Sequence, residues 1–153
     1  MHLNDNGDMI RALGFVALNA AYLEEQIDEC LERFISAGLS NENFRKMQVS
    51  SKIKEIKIKL GTFVPLPNEL VYLPDYLDTV RNLLEKRNEV IHGRIYVDPE
   101  LGDIRRSGRR GVPDKAATSL ELYSLANELS AALQPLMHAS VFRLQRLLSG
   151  TGR

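Results

Sequence analysis

Leu83-Leu84-Glu85-Lys86-Arg87-Asn88-Glu89-Val90-Ile91-His92-Gly93 reads as the closing turns of an amphipathic helix. Apolar residues recur at Leu77, Val80, Leu84 and Ile91, in alternating steps of three and four, which is helical spacing. Position 87 falls on the same stripe yet holds an arginine. A guanidinium taken out of water without a partner is strongly disfavoured, so an Arg on a core stripe implies an ion pair or a ligand. Asn88 and His92 are four residues apart and share one helix face. Gly93 offers the left-handed residue that commonly ends helices. An arginine, an amide and an imidazole are therefore expected together at one helix terminus, in an all-α fold.

Outward from this stretch, the chain offers three more helices. Asp8 can cap a first helix whose apolar stripe runs through Leu13, Val16, Ala17, Ala20, Leu23, Ile27, Cys30, Leu31 and Phe34, and which Gly38 stops. Glu24 falls between Ala20 and Ile27 at helical spacing. It is a natural partner for Arg87; equally, it can sit at the edge of the stripe and reach water. Residues 41–60 form a second helix through Phe44, Met47, Val49, Ile53, Ile56 and Leu60, although Ile56-Lys57-Ile58-Lys59-Leu60 also alternates like a strand. Pro65, Pro67 and Pro74 mark 61–74 as a loop with a short turn at 68–72. Asp75 can cap the third helix, which runs to His92, with Asp78 favourable in its first turn.

After Gly93 the period changes. Arg94-Ile95-Tyr96-Val97 has strand composition, residues 98–103 form a turn, and Ile104-Arg105-Arg106 can return as the second strand of a hairpin. Residues 107–115 are rich in Gly, Arg and Pro and are read, like 1–7, as flexible. Thr118 with Glu121 makes a capping box for a long last helix, which Pro135 should kink. The architecture expected is one domain over 1–153: an antiparallel four-helix bundle with a small β-hairpin inserted before the last helix. That last helix is apolar over a wider arc than one bundle layer needs, a hint of a dimer face.

Composition bounds the function. The chain has 153 residues, 44% hydrophobic and 26% charged, as in an ordinary globular domain. The formal net charge is zero, which argues against holding nucleic acid by bulk charge alone. No apolar run is long enough for a membrane span, no secretory signal is evident, and the single cysteine, Cys30, reads as a small buried hydrophobe; a cytoplasmic protein without membrane contact is expected. The three histidines, His2, His92 and His138, are far apart in sequence, so no metal site and no cofactor is expected. His138, near the last apolar stripe, is read as packing. The lysines of 45–60 read as solvated faces. Arg94, Arg105, Arg106, Arg109 and Arg110 lie close in sequence to Arg87 and His92 and are candidates for phosphate contacts.

An imidazole can take a proton from a ribose 2′-hydroxyl or give one to a leaving 5′-oxygen. A neighbouring guanidinium can hold the scissile phosphate and the charge that builds on it. Arg87, Asn88 and His92 are thus a coherent set for RNA cleavage by internal transphosphorylation. Read for packing alone, the same three residues simply pin a helix end.

Arg87-Asn88-x-x-x-His92 resembles the R-x4-6-H motif of the HEPN superfamily, in which a polar residue, often Asn, commonly follows the Arg. The setting is similar too: a helix end in a small all-α bundle, followed by Gly, after an N-terminal helix bearing an acidic residue. The resemblance implies a homodimer whose two motifs face each other as a shared, metal-independent endoribonuclease site, with His92 as acid/base, Arg87 as phosphate ligand, Asn88 as polar support and Glu24 as a supporting residue. It also implies a toxin–antitoxin or phage-defence setting with RNA as substrate and a possible antitoxin partner. The alternative it leaves is a non-catalytic HEPN-like interaction or nucleotide-binding module.

Overall fold

A computed structural model describes residues 8–97, 104–106, 111 and 113–150. The chain is predominantly helical, with four main helices, consistent with a helical bundle: α1 (Asp8–Ser36), α2 (Val49–Leu60), α3 (Leu73–His92) and α4 (Ser119–His138). A short α5 (Leu144–Ser149) follows α4. Strand β1 (Ile95–Val97) pairs antiparallel with β2 (Ile104–Arg106), which pairs antiparallel with β3 (Lys115–Ala116). Among the described residues no helix is long and apolar enough to cross a membrane. The chain separates into two compact units, Met1–Ala20 with Leu83–Ser130 and Ala21–Asn82 with Ala131–Arg153. Helices α1, α3 and α4 each contribute to both.

The buried stripe of α1 is Met9, Ala12, Val16, Ala20, Leu23, Ile27, Cys30, Leu31 and Phe34. It departs from the expected stripe at its start, where Leu13 is only half-buried and Ala17 is exposed. Gly38 ends the helix as expected. Its φ is +74°, a conformation only glycine adopts easily, and it lets Gly38 N–H reach the Ile35 carbonyl and Leu39 N–H the Phe34 carbonyl, both at 2.9 Å.

In the second unit, the expected helix over 41–60 is two elements. A 3₁₀ turn, Glu42–Lys46, is capped by the Asn41 carboxamide oxygen, which accepts from Asn43 N–H at 2.8 Å; Met47 and Gln48 are extended, and α2 starts at Val49. The local Asx turn competes with helix and wins. Within α2, helix prevails over the Ile56–Leu60 alternation: Ile53, Ile56 and Leu60 are buried while Ile58 is exposed. Ion pairs Lys52–Asp28 and Arg45–Glu32, each 2.6 Å, join the start of α2 and the preceding turn to α1. The Arg45 hydrogen bond holds the Glu32 carboxyl below its usual range. Such exposed pairs each contribute about 0–1 kcal/mol, so the buried aliphatic contacts dominate the stability of this unit. The short turn expected at 68–72 is a 3₁₀ segment, Asn68–Leu70. Helix α3 begins at Leu73, so Pro74 and Asp75 lie in its first turn rather than in the loop and at the cap. Proline fits there because the first amides of a helix have no intrahelical partner.

The last helix is not continuous. Pro135 lies inside α4, and a π-helical segment, Ala139–Arg143, separates α4 from α5. Proline removes one amide from the helical ladder, and side chains attend the carbonyls nearby. Tyr76 Oη donates to Ala132 O at 2.5 Å and Tyr72 Oη to Pro135 O at 3.2 Å. The π turn buries Ser140, whose hydroxyl lies 3.1 Å from both Gln26 Oε1 and Met137 O. Met137, at the end of α4, and Val141 and Phe142, within the π segment, are exposed. His138 is exposed rather than packed in the core, with its ring 5.8 Å from Phe142.

Burial pushes the Cys30 thiol up to about 12, so almost no thiolate exists at neutral pH. Native protein at pH 8 should resist iodoacetamide, whereas denatured protein should alkylate fully. Equal alkylation rates in the two states, measured by mass spectrometry, would place Cys30 at the surface.

In the first unit, Thr118 Oγ1 accepts Glu121 N–H at 3.1 Å, capping α4. Thr118→Ala should lower unfolding stability by about 0.5–2 kcal/mol in urea melts. An unchanged midpoint would mean the cap contributes nothing. Asn19 Nδ2 donates to the Ala126 carbonyl at 3.1 Å, and the Phe15 and Tyr123 rings lie 6.2 Å apart, tying α1 to α4 in this unit.

Candidate functional site

The site is built at the C-terminal end of α3. Leu83, Leu84 and Val90 are buried there, Arg87 and Asn88 are half-buried, and His92 and Arg94 are exposed. This corrects the expected stripe. Val90 is 5% exposed and Ile91 is 42% exposed, so the buried face of α3 passes from Leu77, Val80 and Leu84 to Leu83, Arg87 and Val90. Adjacent helical residues project about 100° apart, so the face turns by roughly one residue position in the last turns. Arg87 remains beside the core, while Ile91 and His92 turn outward.

Gly93 does not take the left-handed conformation expected of it; among the described residues the positive-φ glycines are Gly38 and Gly111. Instead, Gly93 N–H donates to Glu89 O at 3.2 Å, one further helical bond, and the chain passes directly into β1. His92 consequently sits at the junction of helix and sheet. Asn88 and His92, although on one helix face, are not hydrogen-bonded to each other, and no described side chain holds the imidazole.

The sheet register brings two more candidates to this end in backbone terms. Arg106 pairs with Ile95, and Arg105 with Tyr96, so β2 runs alongside the residues that follow His92, Gly93 and Arg94. On its other edge β2 carries β3, with Arg106 opposite Lys115. Lys115 was expected in a flexible segment and is a strand residue. Residues 1–7, 98–103 and 107–110, including Arg109 and Arg110, lie outside the described residues. Glu24 is half-buried on α1, in the unit that does not contain Arg87.

The end of α3 also carries a feature not anticipated from sequence. A cleft of about 450 Å³ is lined by Lys86, Glu89 and Val90 of α3, Lys115 of β3 and Glu121, Leu122, Ser124, Leu125 and Glu128 of α4. Lys86 meets Glu128 at 3.9 Å within it. Its walls include none of Arg87, Asn88 or His92. Lys86 and Glu89 read as plain surface charges in the sequence, and only the folding of β3 beside α4 gives them a shared wall.

Neither family models nor curated proteins nor solved structures match this chain. The functional reading accordingly rests on the chemistry at the end of α3. Among the described residues there is no cluster of three or more His, Cys, Asp or Glu side chains arranged to hold a metal ion. What α3 offers is an exposed imidazole, a guanidinium on the preceding turn and a half-buried amide. Five helical steps separate Arg87 from His92, which sets their directions about 140° apart around α3 and about 7.5 Å apart along it. A single helix thus presents the imidazole and the guanidinium on different sides.

Proposed function

We propose that the chain is a HEPN-like, metal-independent endoribonuclease that acts as a homodimer. The observation that carries the reading is His92, exposed and unengaged by any described side chain at the junction of α3 and β1, with Arg87 half-buried one turn earlier. Arg94 next to it is exposed, and Arg105 and Arg106 run in the strand paired to β1. In the reaction, the His92 imidazole takes the proton of a ribose 2′-hydroxyl. The 2′-oxygen attacks phosphorus, the bond to the 5′-oxygen breaks, and the leaving oxygen takes up a proton. Arg87 binds the phosphate oxygens as charge builds on them. The products are a 2′,3′-cyclic phosphate and a 5′-hydroxyl.

The divergence of Arg87 and His92 around α3 supports a dimer, because a phosphate lying between two copies can meet an arginine from one and a histidine from the other. The exposed Met137, Val141 and Phe142 beside the π segment support an apolar face for self-association. The setting the resemblance implies, a toxin–antitoxin or phage-defence pair in the cytoplasm, is part of the proposal, with an antitoxin as a further partner.

Two measurements test it. Light scattering at micromolar concentration should give twice the mass of the chain; a monomer there would remove the shared site. Purified protein should cleave RNA in EDTA, leave DNA of the same sequence intact and yield 2′,3′-cyclic phosphate ends. Cleavage that requires magnesium would reject the mechanism, and saturable RNA binding without cleavage of a cellular RNA pool would favour the non-catalytic module.

A further inference from the structure

In the second unit, an open cleft of about 540 Å³ along α2 and α3 is lined by Ser50, Ser51, Lys54, Lys57, Ile58 and Arg81. It contains none of the residues assigned above. Ser50, Lys54, Lys57 and Ile58 recur at helical spacing and share one face of α2, and Arg81 reaches the cleft from α3. Asp78 meets two of the cations, Lys57 at 2.6 Å and Arg81 at 3.5 Å. The Lys57 hydrogen bond holds the Asp78 carboxyl below its usual range, so this carboxylate stays charged and fixes both cations in place. Lys54 makes no ion pair, and the Ser50 and Ser51 hydroxyls no hydrogen bond, among the described residues. Three cations thus face one carboxylate, two charges in excess, beside two hydroxyl donors and the exposed side chain of Ile58.

We infer that this cleft binds a phosphate monoester. A terminal phosphate near neutral pH carries close to two negative charges and three acceptor oxygens. That matches the excess charge and the donors, Lys54, Lys57, Arg81 and the serines, whereas a sulfonate or a phosphodiester brings only one charge. Ile58 offers an apolar wall for the group esterified to the phosphate.

NMR titration of the full chain at pH 7.5 with phenyl phosphate, benzenesulfonate and phenol tests this. Phenyl phosphate should shift the amides of Ser50, Ser51, Lys54 and Arg81 saturably, benzenesulfonate should bind about ten-fold more weakly or less, and phenol should leave them unmoved. Affinity for phenyl phosphate should fall below pH 6, where the second phosphate proton returns. Lys54→Ala should weaken binding about ten-fold with an unchanged melting temperature, since Lys54 is exposed and supports no other side chain. A 2′-O-methyl oligoribonucleotide separates the sources. Displacement of phenyl phosphate by its 5′-phosphorylated form alone assigns the group to an RNA end, and displacement by neither form assigns it to a small phosphomonoester. Displacement by the 5′-hydroxyl form as well, equal binding of benzenesulfonate, or full affinity in Lys54→Ala would overturn the inference.

Discussion

His92→Ala should abolish RNA cleavage and leave the fold intact. The ring is exposed at the end of α3 and no described side chain depends on it, so its loss removes no buried contact. Positioned acid–base groups contribute about 10²–10⁴-fold to a rate, and a reaction that needs one proton removed and one delivered should lose at least that range. The melting temperature and circular dichroism of the variant should match those of the wild type. Equal cleavage by wild type and His92→Ala would identify a contaminating nuclease. Loss of cleavage together with loss of helix content would instead return His92 to a structural role at the helix end.

Much of the fold is legible because the relevant signals are local. Gly38 follows Phe34-Ile35-Ser36-Ala37 at the distance a Schellman ending needs, and Thr118 stands three residues before Glu121. The site is less legible for a specific reason. Leu83-Leu84 and Val90-Ile91 are adjacent apolar pairs seven residues apart, so the pattern supports two stripes about 100° apart on α3. Leu83 and Leu84 are both buried, but at the second pair packing buries Val90 and exposes Ile91; Arg87 lies beside the core on either stripe, and His92 turns outward with Ile91. The neighbours of His92 are hidden for a different reason. The pairing of Arg106 with Ile95 and with Lys115 is a matter of register across separate segments, which short strands specify weakly in sequence. The α2–α3 cleft needs Arg81 beside residues some thirty positions earlier, and nothing in the lysine spacing of α2 announces that partner.

Arg87 provides the second large effect, and it also tests which subunit supplies which group. Arg87→Ala is a poor probe, since the side chain is half-buried between Leu83 and Val90 and its removal disturbs packing as well as charge. Arg87→Lys keeps the aliphatic stem and the positive charge but loses the planar fork that grips two phosphate oxygens. Cleavage should fall by about 10²–10³-fold, as when one preorganised donor to a developing charge is removed, with little change in melting temperature. Because Arg87 and His92 leave α3 about 140° apart, the proposed site pairs Arg87 of one protomer with the partner's His92. Dimers refolded from a mixture of Arg87→Lys and His92→Ala chains should then regain cleavage that neither variant shows alone. In each mixed dimer both defects fall in one site, and the other site is wild type. No gain on mixing, with mixed dimers verified by mass spectrometry, would place both groups in one protomer. Arg87 would then have to reach around α3 to the phosphate beside His92, and the dimer would have no catalytic role.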